Sequence, residues 1–280
     1  MLSQTFVHLP GIGPVTEREL WADGIRTWDD FIASDPLPRR AGRQGDMLRG
    51  LVRRSRERLR DSDAAYFAAA LPHSELWRLY ADFRHRAAFL DIETTGLSPE
   101  YADITMVGLL DFDGYRAFVR DENLEDLREA IEEYDLVVTF NGASFDLPFI
   151  EHKFGSMFAR TAHIDLMFPL RKLGLRGGLK SIERRLRVGR PSELSTLNGF
   201  DAVRMWRMWQ MGDAGARHTL IRYNAEDVAS LPRLSDIVYD SLADRLGIPL
   251  GRLDRSPVPD IALPFDGEVI RRLAMMKGRE

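Results

Sequence analysis

Two carboxylates stand two residues apart in a short apolar segment, FLDIET, residues 89–94. Residues two apart on a β-strand point to the same face of the sheet, so Asp91 and Glu93 are predicted to lie side by side. In a site shielded from water, such a pair repels strongly unless a cation or protons intervene. The spacing therefore predicts a cation site, although two solvated acids on an edge strand would also fit it.

A third acid follows a second apolar segment, VVTFNGASFDLPFI, residues 137–150. A strand there leads into a turn at Asn141 and Gly142. Ser144 is predicted to cap a helix that carries Asp146 in its first turn. A carboxylate at this position also has a purely local explanation, because it stabilises the helix dipole by under about 1 kcal/mol.

A third segment, RYNAEDVASL, residues 222–231, places Tyr223 and Asp227 four residues apart on one face of a predicted helix. An inward-facing Asp227 needs a partner, and a simple hydrogen bond from Tyr223 is the alternative to chemistry. Glu226 lies off this face and is predicted to be solvent-exposed. Three leucines on roughly the same side indicate that the face is turned inward: Leu220, Leu231 and Leu234.

The three segments lie within a predicted mixed α/β sheet. Antiparallel strands come first and helices alternate with strands later, which is typical of such sheets. The predicted strands cover 87–94, 102–112, 115–121, 135–140 and 162–167, and the predicted helices cover 123–134, 144–154 and, with Pro232 inside it, 216–246.

The flanking segments predict smaller helical parts. Around the turn Gly11-Ile12-Gly13, residues 1–36 are predicted to form two short helices, and 44–70 and 72–86 to be helical as well. The chain is accordingly divided into a helical module, 1–40; an Arg-rich helical connector, 41–85; the α/β domain, 86–246; and a peripheral C-terminal tail, 247–280.

The composition limits the possible functions. The chain has 280 residues, 44% hydrophobic and 29% charged, which is enough to build a core. The absence of cysteine excludes disulfides, thiolate nucleophiles and the common structural zinc sites. No apolar run reaches ~18 residues and no leader pattern begins the chain, so we expect a soluble cytoplasmic protein. A net charge of −4 does not by itself point to a polyanionic partner.

Taken together, the three motifs resemble the DnaQ-like (DEDD) 3′–5′ exonucleases of the ribonuclease H-like superfamily. That family carries D-x-E on its first strand, an Asn and an Asp in its second motif, and Y-x-x-x-D on a late helix. The resemblance covers roughly residues 86–240. The His form of the family has its histidine where this chain has Arg222, so Tyr223 fits the Tyr form, DEDDy. The segments HIDLM and LKSIE and the Gly-Ile-Gly module look closest to the YprB-like branch.

The resemblance implies a ribonuclease H-like mixed sheet flanked by helices and two divalent ions. Four acids around one pocket cannot all ionise without cations, and oxygen ligands favour Mg²⁺ or Mn²⁺ over zinc. By resemblance, Asp91 bridges both ions, Glu93 and Asp227 complete the nucleophile-side ion, and Asp146 acts on the second. Tyr223 orients the attacking water.

The same resemblance names candidates for holding a single-stranded 3′ end. Turn formation would equally explain the threonines and Asn141, and core packing would explain Leu97 and Phe145. Lys180, in GGLKSIERRLR, could reach a phosphate or simply begin a solvated helix. The candidates are Thr94, Thr95, Leu97, Asn141, Phe145 and Lys180.

Basic segments and the N-terminal module leave the partners open. Residues 39–60 contain nine Arg and 171–190 contain eight basic residues, and either could track a phosphate backbone or form a solvated face. The Gly-Ile-Gly module resembles a helix-hairpin-helix, which binds DNA phosphates, but its many acids equally favour a protein partner.

Three functions remain in competition. The resemblance favours a metal-dependent 3′–5′ exonuclease. A ribonuclease H-type endonuclease and a non-catalytic nucleic-acid-binding protein on a nuclease fold are the alternatives. No motif here fixes the choice between DNA and RNA, because that depends on the pocket around the sugar 2′ position. The pathway and the oligomeric state are likewise undetermined by the sequence.

Overall fold

The computed structural model describes residues 1–37, 44–188, 194–256 and 261–277. The described residues before the sheet, 1–37 and 44–86, are mostly helical, as the sequence predicts. The predicted helix over 44–70 is interrupted, because Ser62 adopts a left-handed conformation and Asp63 caps a new helix. Two 3₁₀ helices, His73–Leu79 and Arg84–Arg86, form most of the second predicted helix. The helices are α1 (Pro14–Ala22), α2 (Trp28–Ala33), α3 (Gly45–Arg60), α4 (Ala64–Ala70) and α5 (Tyr80–Phe83).

A five-stranded mixed sheet follows, in the order β3-β2-β1-β4-β5. The pairs β1–β2 and β2–β3 are antiparallel, and β1–β4 and β4–β5 are parallel. The predicted mixed sheet is confirmed. The strands are β1 (Ala87–Thr94), β2 (Ile104–Leu110), β3 (Tyr115–Val119), β4 (Leu136–Thr139) and β5 (Ala162–Asp165).

The remaining helices flank this sheet on both faces. Pro232 lies at the first turn of a new helix rather than inside one, where its missing N–H costs no hydrogen bond. None of the described helices is long and apolar enough to cross a membrane. The helices are α6 (Leu127–Ile131), α7 (Asp146–Phe154), α8 (Met167–Lys172), α9 (Leu179–Leu186), α10 (Gly199–Gln210), α11 (Ala214–Ala229), α12 (Leu231–Leu246) and α13 (Gly267–Lys277).

The alternation of β1 divides the core into two sides. Its even residues, such as Leu90 and Ile92, pack with the α6 and α7 residues Leu127 and Phe149. Its odd residues, such as Phe89, join a cluster that also contains α12 and the N-terminal helices. Asp91 and Glu93 are odd residues, so they share the side on which α11 and α12 pack.

The C-terminal segment is more than the peripheral tail that was predicted. Helix α13 buries Val269 and Leu273 in a cluster with α10 and α11. The guanidinium of Arg222 on α11 also donates a hydrogen bond to the backbone oxygen of Leu263 at 2.9 Å. The prolines that precede α13 hid this helix in the sequence, because they break the apolar pattern just before it begins.

Candidate active site

Three carboxylates converge where β1 meets α11. Asp91 is half-buried, whereas Glu93 and Asp227 are buried. One carboxylate oxygen of each lies within 4.8 Å of the others. The predicted pairing of Asp91 and Glu93 on one face of β1 is thus present, and a bulge in the β1–β2 pairing follows directly at Thr94.

Helix α11 supplies the other half of this cluster, since it packs against both β1 and β2. Tyr223 and Asp227 are both buried on its inner side, as their spacing indicates. The prediction for Glu226 was wrong, because this side chain is buried too. Its carboxylate forms an ion pair with Arg222 one turn earlier, at 2.6 Å, and this charge partner makes its burial possible.

Asp146 reaches the same region from the β4–α7 turn. Only glycine fits at position 142, where an added Cβ would lie 2.2 Å from the Thr139 hydroxyl oxygen. Helix α7 begins after Phe145 without a side-chain cap, so the prediction that Ser144 caps it was wrong. Asp146 instead accepts a hydrogen bond from the backbone N–H of Ile92 on β1, at 3.1 Å. It is therefore tied to the strand that carries Asp91 and Glu93, although it lies outside the tight group of three.

The electrostatics of the cluster follow from burial and mutual repulsion. Burial, together with the charge of Asp227, raises the pKa of Glu93 well above its usual range. Burial also raises the pKa of Asp146 to about 7, against hydrogen bonds that lower it. Both shifts disfavour the ionised carboxylates, so the cluster gains from any species that supplies positive charge.

The donor set fits a hard divalent cation. All the converging groups are carboxylates, and oxygen ligands are those that Mg²⁺ and Mn²⁺ prefer. No histidine belongs to this group of three, so the arrangement does not resemble a zinc site. Asp91, Glu93 and Asp227 are the side chains that would hold such an ion.

A cavity of about 800 Å³ opens onto these acids. Of the six predicted substrate-binding residues, four line this cavity: Thr94, Thr95, Leu97 and Phe145. Leu97 is 78% exposed despite its apolar side chain, which leaves it free to contact a ligand. The structure therefore brings these four side chains to the mouth of the acidic cluster.

The other two candidates lie differently. The ammonium of Lys180 on α9 donates to the Tyr223 hydroxyl at 3.1 Å and also to the Leu197 backbone oxygen. Asn141 does not line the cavity. It adopts a left-handed conformation, and its backbone N–H donates to the Asp165 carboxylate at 2.7 Å. Asn141 thus shapes the turn before Asp146, which matches the alternative explanation of turn formation.

Helix α10, for which no prediction was made, forms another part of the cavity wall. Phe200 is 70% exposed there, and Arg204 and Arg207 are further along the same helix. The spacing of 200, 204 and 207 was available as a signal, because residues separated by four and three positions share a helix face. The capping box formed by Asn198 and Asp201 also marks the start of this helix.

The family match agrees with this fold. Residues 88–239, more than half of the chain, match the RNase_H_2 family, described as RNase_H superfamily. The chain therefore belongs to the ribonuclease H superfamily. A search of curated proteins finds no match to the sequence.

Solved structures show a more distant similarity. NrnC from Brucella melitensis bound to pGG is 22% identical over 59% of this chain and 78% of that chain, with a TM-score of 0.43. The same protein with bound Mg²⁺ is 21% identical over 71% and 86%, with a TM-score of 0.41. The family B DNA polymerase of the archaeon Pyrobaculum calidifontis is 17% identical over 56% of this chain and 24% of that chain, with a TM-score of 0.43. These similarities are too low to carry an argument about activity.

Proposed function

We propose that this chain is a metal-dependent 3′–5′ exonuclease of the DEDDy type, which hydrolyses the terminal phosphodiester bond of single-stranded nucleic acid with two divalent ions. The observation that carries the proposal is the convergence of Asp91, Glu93 and Asp227 within 4.8 Å at an open cavity. At this separation the three carboxylates repel one another, and a bound cation would offset that repulsion. The attack at a 3′ end is inferred from the Tyr223–Asp227 motif, which resembles the exonuclease branch.

The acids are arranged to hold Mg²⁺ or Mn²⁺. Asp91, Glu93 and Asp227 would bind them, with Asp146 beside the group and held against β1. Bound ions would acidify the attacking water and stabilise charge on the phosphate oxygens. In the reaction, the water oxygen bonds to phosphorus, the bond to the 3′ oxygen breaks, and that oxygen takes up a proton, which releases a nucleoside 5′-monophosphate.

Tyr223 positions the attacking water in this proposal. Its hydroxyl accepts a hydrogen bond from Lys180, so its own proton is directed elsewhere. A neutral phenol keeps its proton and acts as a hydrogen-bond donor and acceptor, which favours orientation of the water over proton removal. Lys180 thereby fixes the hydroxyl. Its positive charge lies close enough to the acids to favour the ionised form of Glu93.

The cavity wall supplies contacts for the strand. Leu97, Phe145 and Phe200 offer apolar and aromatic surface on which bases can stack, which is tolerant of sequence. Arg207 offers positive charge for the backbone phosphates, whereas Arg204 beside it is paired with Asp201 at 3.4 Å. These side chains and the acids line one cavity, so a strand end could contact both.

End-labelled oligonucleotides with Mg²⁺ or Mn²⁺ test the proposal. We expect stepwise shortening from the 3′ end, and a loss of about 10²- to 10³-fold in rate for Asp227→Asn, the size usual when one electrostatic stabiliser of the transition state is removed. Asp244→Asn, an exposed acid on α12 paired with Arg252, is the control and should leave the rate unchanged. Internal cuts would support a ribonuclease H-type endonuclease instead, and retention of an intact oligonucleotide would support a non-catalytic binding protein.

A further inference from the structure

A buried amide lies directly against the acidic pair. Asn224, on α11 between Tyr223 and Asp227, is fully buried. Its Nδ2 donates to the Asp91 carboxylate at 3.0 Å and to the Asp91 backbone oxygen at 3.3 Å. The same nitrogen lies 3.5 Å from a carboxylate oxygen of Glu93. One neutral side chain therefore contacts both acids of β1.

The orientation of this amide is fixed by a tyrosine on β3. The Tyr115 hydroxyl donates to Asn224 Oδ1 at 2.9 Å, which turns the NH₂ group toward the acids. Burial and the charges of Glu93 and Asp91 raise the pKa of Tyr115 well above its usual range, so it stays a donor. A flipped amide would place its oxygen against Asp91 and Glu93.

The sheet leaves room for this amide at one residue. Gly108 on β2 pairs directly with Asp91 on β1. An added Cβ at position 108 would lie 1.7 Å from Asn224 Oδ1, closer than any real contact. The arrangement thus needs four elements: the acids come from β1, Gly108 from β2, Tyr115 from β3 and Asn224 from α11.

We propose that Asn224, oriented by Tyr115 in the space that Gly108 leaves, is a positioning residue that aligns Asp91 and Glu93 for a divalent cation. This inference rests on the metal centre of the proposed function. An amide suits the task because it donates hydrogen bonds without carrying charge. An arginine or lysine there would neutralise the acids itself and compete with the ion, whereas an aspartate would add a fourth carboxylate to the repulsion.

Calorimetric titration of the purified protein with Mn²⁺ tests the inference without relying on activity. Asn224→Ala should weaken Mn²⁺ binding by about 10- to 100-fold, as is usual when a partner of metal ligands is lost. Tyr115→Phe keeps the amide but frees it to flip, so it should weaken binding in the same direction by a smaller factor. The KM for an oligonucleotide should change little in both variants, because neither residue lines the cavity.

Thr219→Ala provides the matched control. Thr219 is buried on the same helix, but its hydroxyl donates to the Gly215 backbone oxygen and accepts from the Asp266 backbone N–H, so its loss removes buried hydrogen bonds of α11 that do not involve the acids. Mn²⁺ affinities of Asn224→Ala and Tyr115→Phe within about twofold of this control would overturn the inference. Should Asn224→Ala fail to fold, Tyr115→Phe alone decides. Wild-type protein that binds no Mn²⁺ would instead refute the proposed metal centre, so the two failures are distinguishable.

Discussion

Two buried glutamates of this protein are treated in opposite ways. Glu17 on α1 is 1% exposed, and it accepts hydrogen bonds from the Phe6 and Val7 backbone N–H groups and two from Arg78, both at 2.9 Å. Glu93 on β1 is also buried, but it faces the neutral amide of Asn224 and two further carboxylates. Glu17 is thus held by a directly hydrogen-bonded arginine, whereas for Glu93 burial and the charge of Asp227 outweigh the Lys180 charge that favours its ionised form.

Under the proposed function, this difference separates an acid that serves the fold, Glu17, from one that serves chemistry, Glu93. A buried carboxylate costs several kcal/mol unless a cation or several donors offset it. Arg78, which also pairs with Glu75, provides that offset inside the N-terminal half. For Glu93, burial and the charge of Asp227 outweigh the Asn224 amide and the Lys180 charge, so a bound cation would stabilise its ionised form. In the N-terminal module, pairing with Arg78 also accounts for Glu17, one of the acids that weigh against DNA contact.

The largest expected effect comes from neutralising each glutamate in turn. Glu17→Gln should lower the free energy of unfolding by about 3 kcal/mol, because it removes the charge that Arg78 requires in the interior. Glu93→Gln should leave the metal-free protein as stable or make it more stable, since it removes repulsion, while abolishing Mn²⁺ binding. Urea unfolding in EDTA measures the free energy of unfolding of both variants, and calorimetric titration without EDTA measures Mn²⁺ binding. Equal losses from the two variants would mean that Glu93 is a structural acid like Glu17.

Stability against pH sharpens the contrast further. The pKa of Asp146 rises from 3.8 to about 7 on folding, so the native state holds a proton that the unfolded chain has lost. Between these values the native state binds more protons, and the stability of the metal-free protein should therefore fall as pH rises, then level off above about 7. Glu93 shifts in the same direction.

Thermal unfolding in EDTA at pH 5 and pH 8 checks this expectation. The decrease in Tm between the two values should be smaller for Asp146→Asn than for the wild type, because the asparagine cannot ionise. Excess Mg²⁺ should raise the wild-type Tm more at pH 8, where it does not compete with protons. An identical pH dependence in both proteins would show that Asp146 is ionised in the native state.

Local spacing was sufficient to predict the elements that carry the acids. A period of two predicts Asp91 and Glu93 on one side of β1, and a period of 3.6 predicts Tyr223 and Asp227 on the inner side of α11. These rules need only a few neighbouring residues, and they also sufficed for the mixed sheet. What they cannot supply is the partner that a side chain meets after folding.

The misses share that cause. Glu226 was predicted to be exposed because it lies off the apolar face of the helix. Its burial depends on the ion pair with Arg222 and on the chain that packs around both residues after folding. The role of Gly108 depends on an amide more than 100 positions away in the chain. For helix α10, the spacing of Phe200 and Arg204 was enough to predict a shared helix face. The sequence does not show that this face lines the same cavity as Asp91.

The cavity is lined by both the acids and Arg207, so positive and negative charge lie in the same site. The smallest expected effect comes from removing Arg207. Arg207 is exposed, and within the described part of the chain it has no ion-pair partner, so its charge is available to a phosphate. Arg207→Ala should raise the KM for an oligonucleotide by about tenfold with little change in kcat, and reduce the slope of log affinity against log salt by about 1. Arg271→Ala, which removes an exposed arginine paired with Glu268 on α13, is the matched control and should alter neither quantity. If both variants changed the salt slope equally, the α10 surface would be a general basic surface rather than the path of the strand.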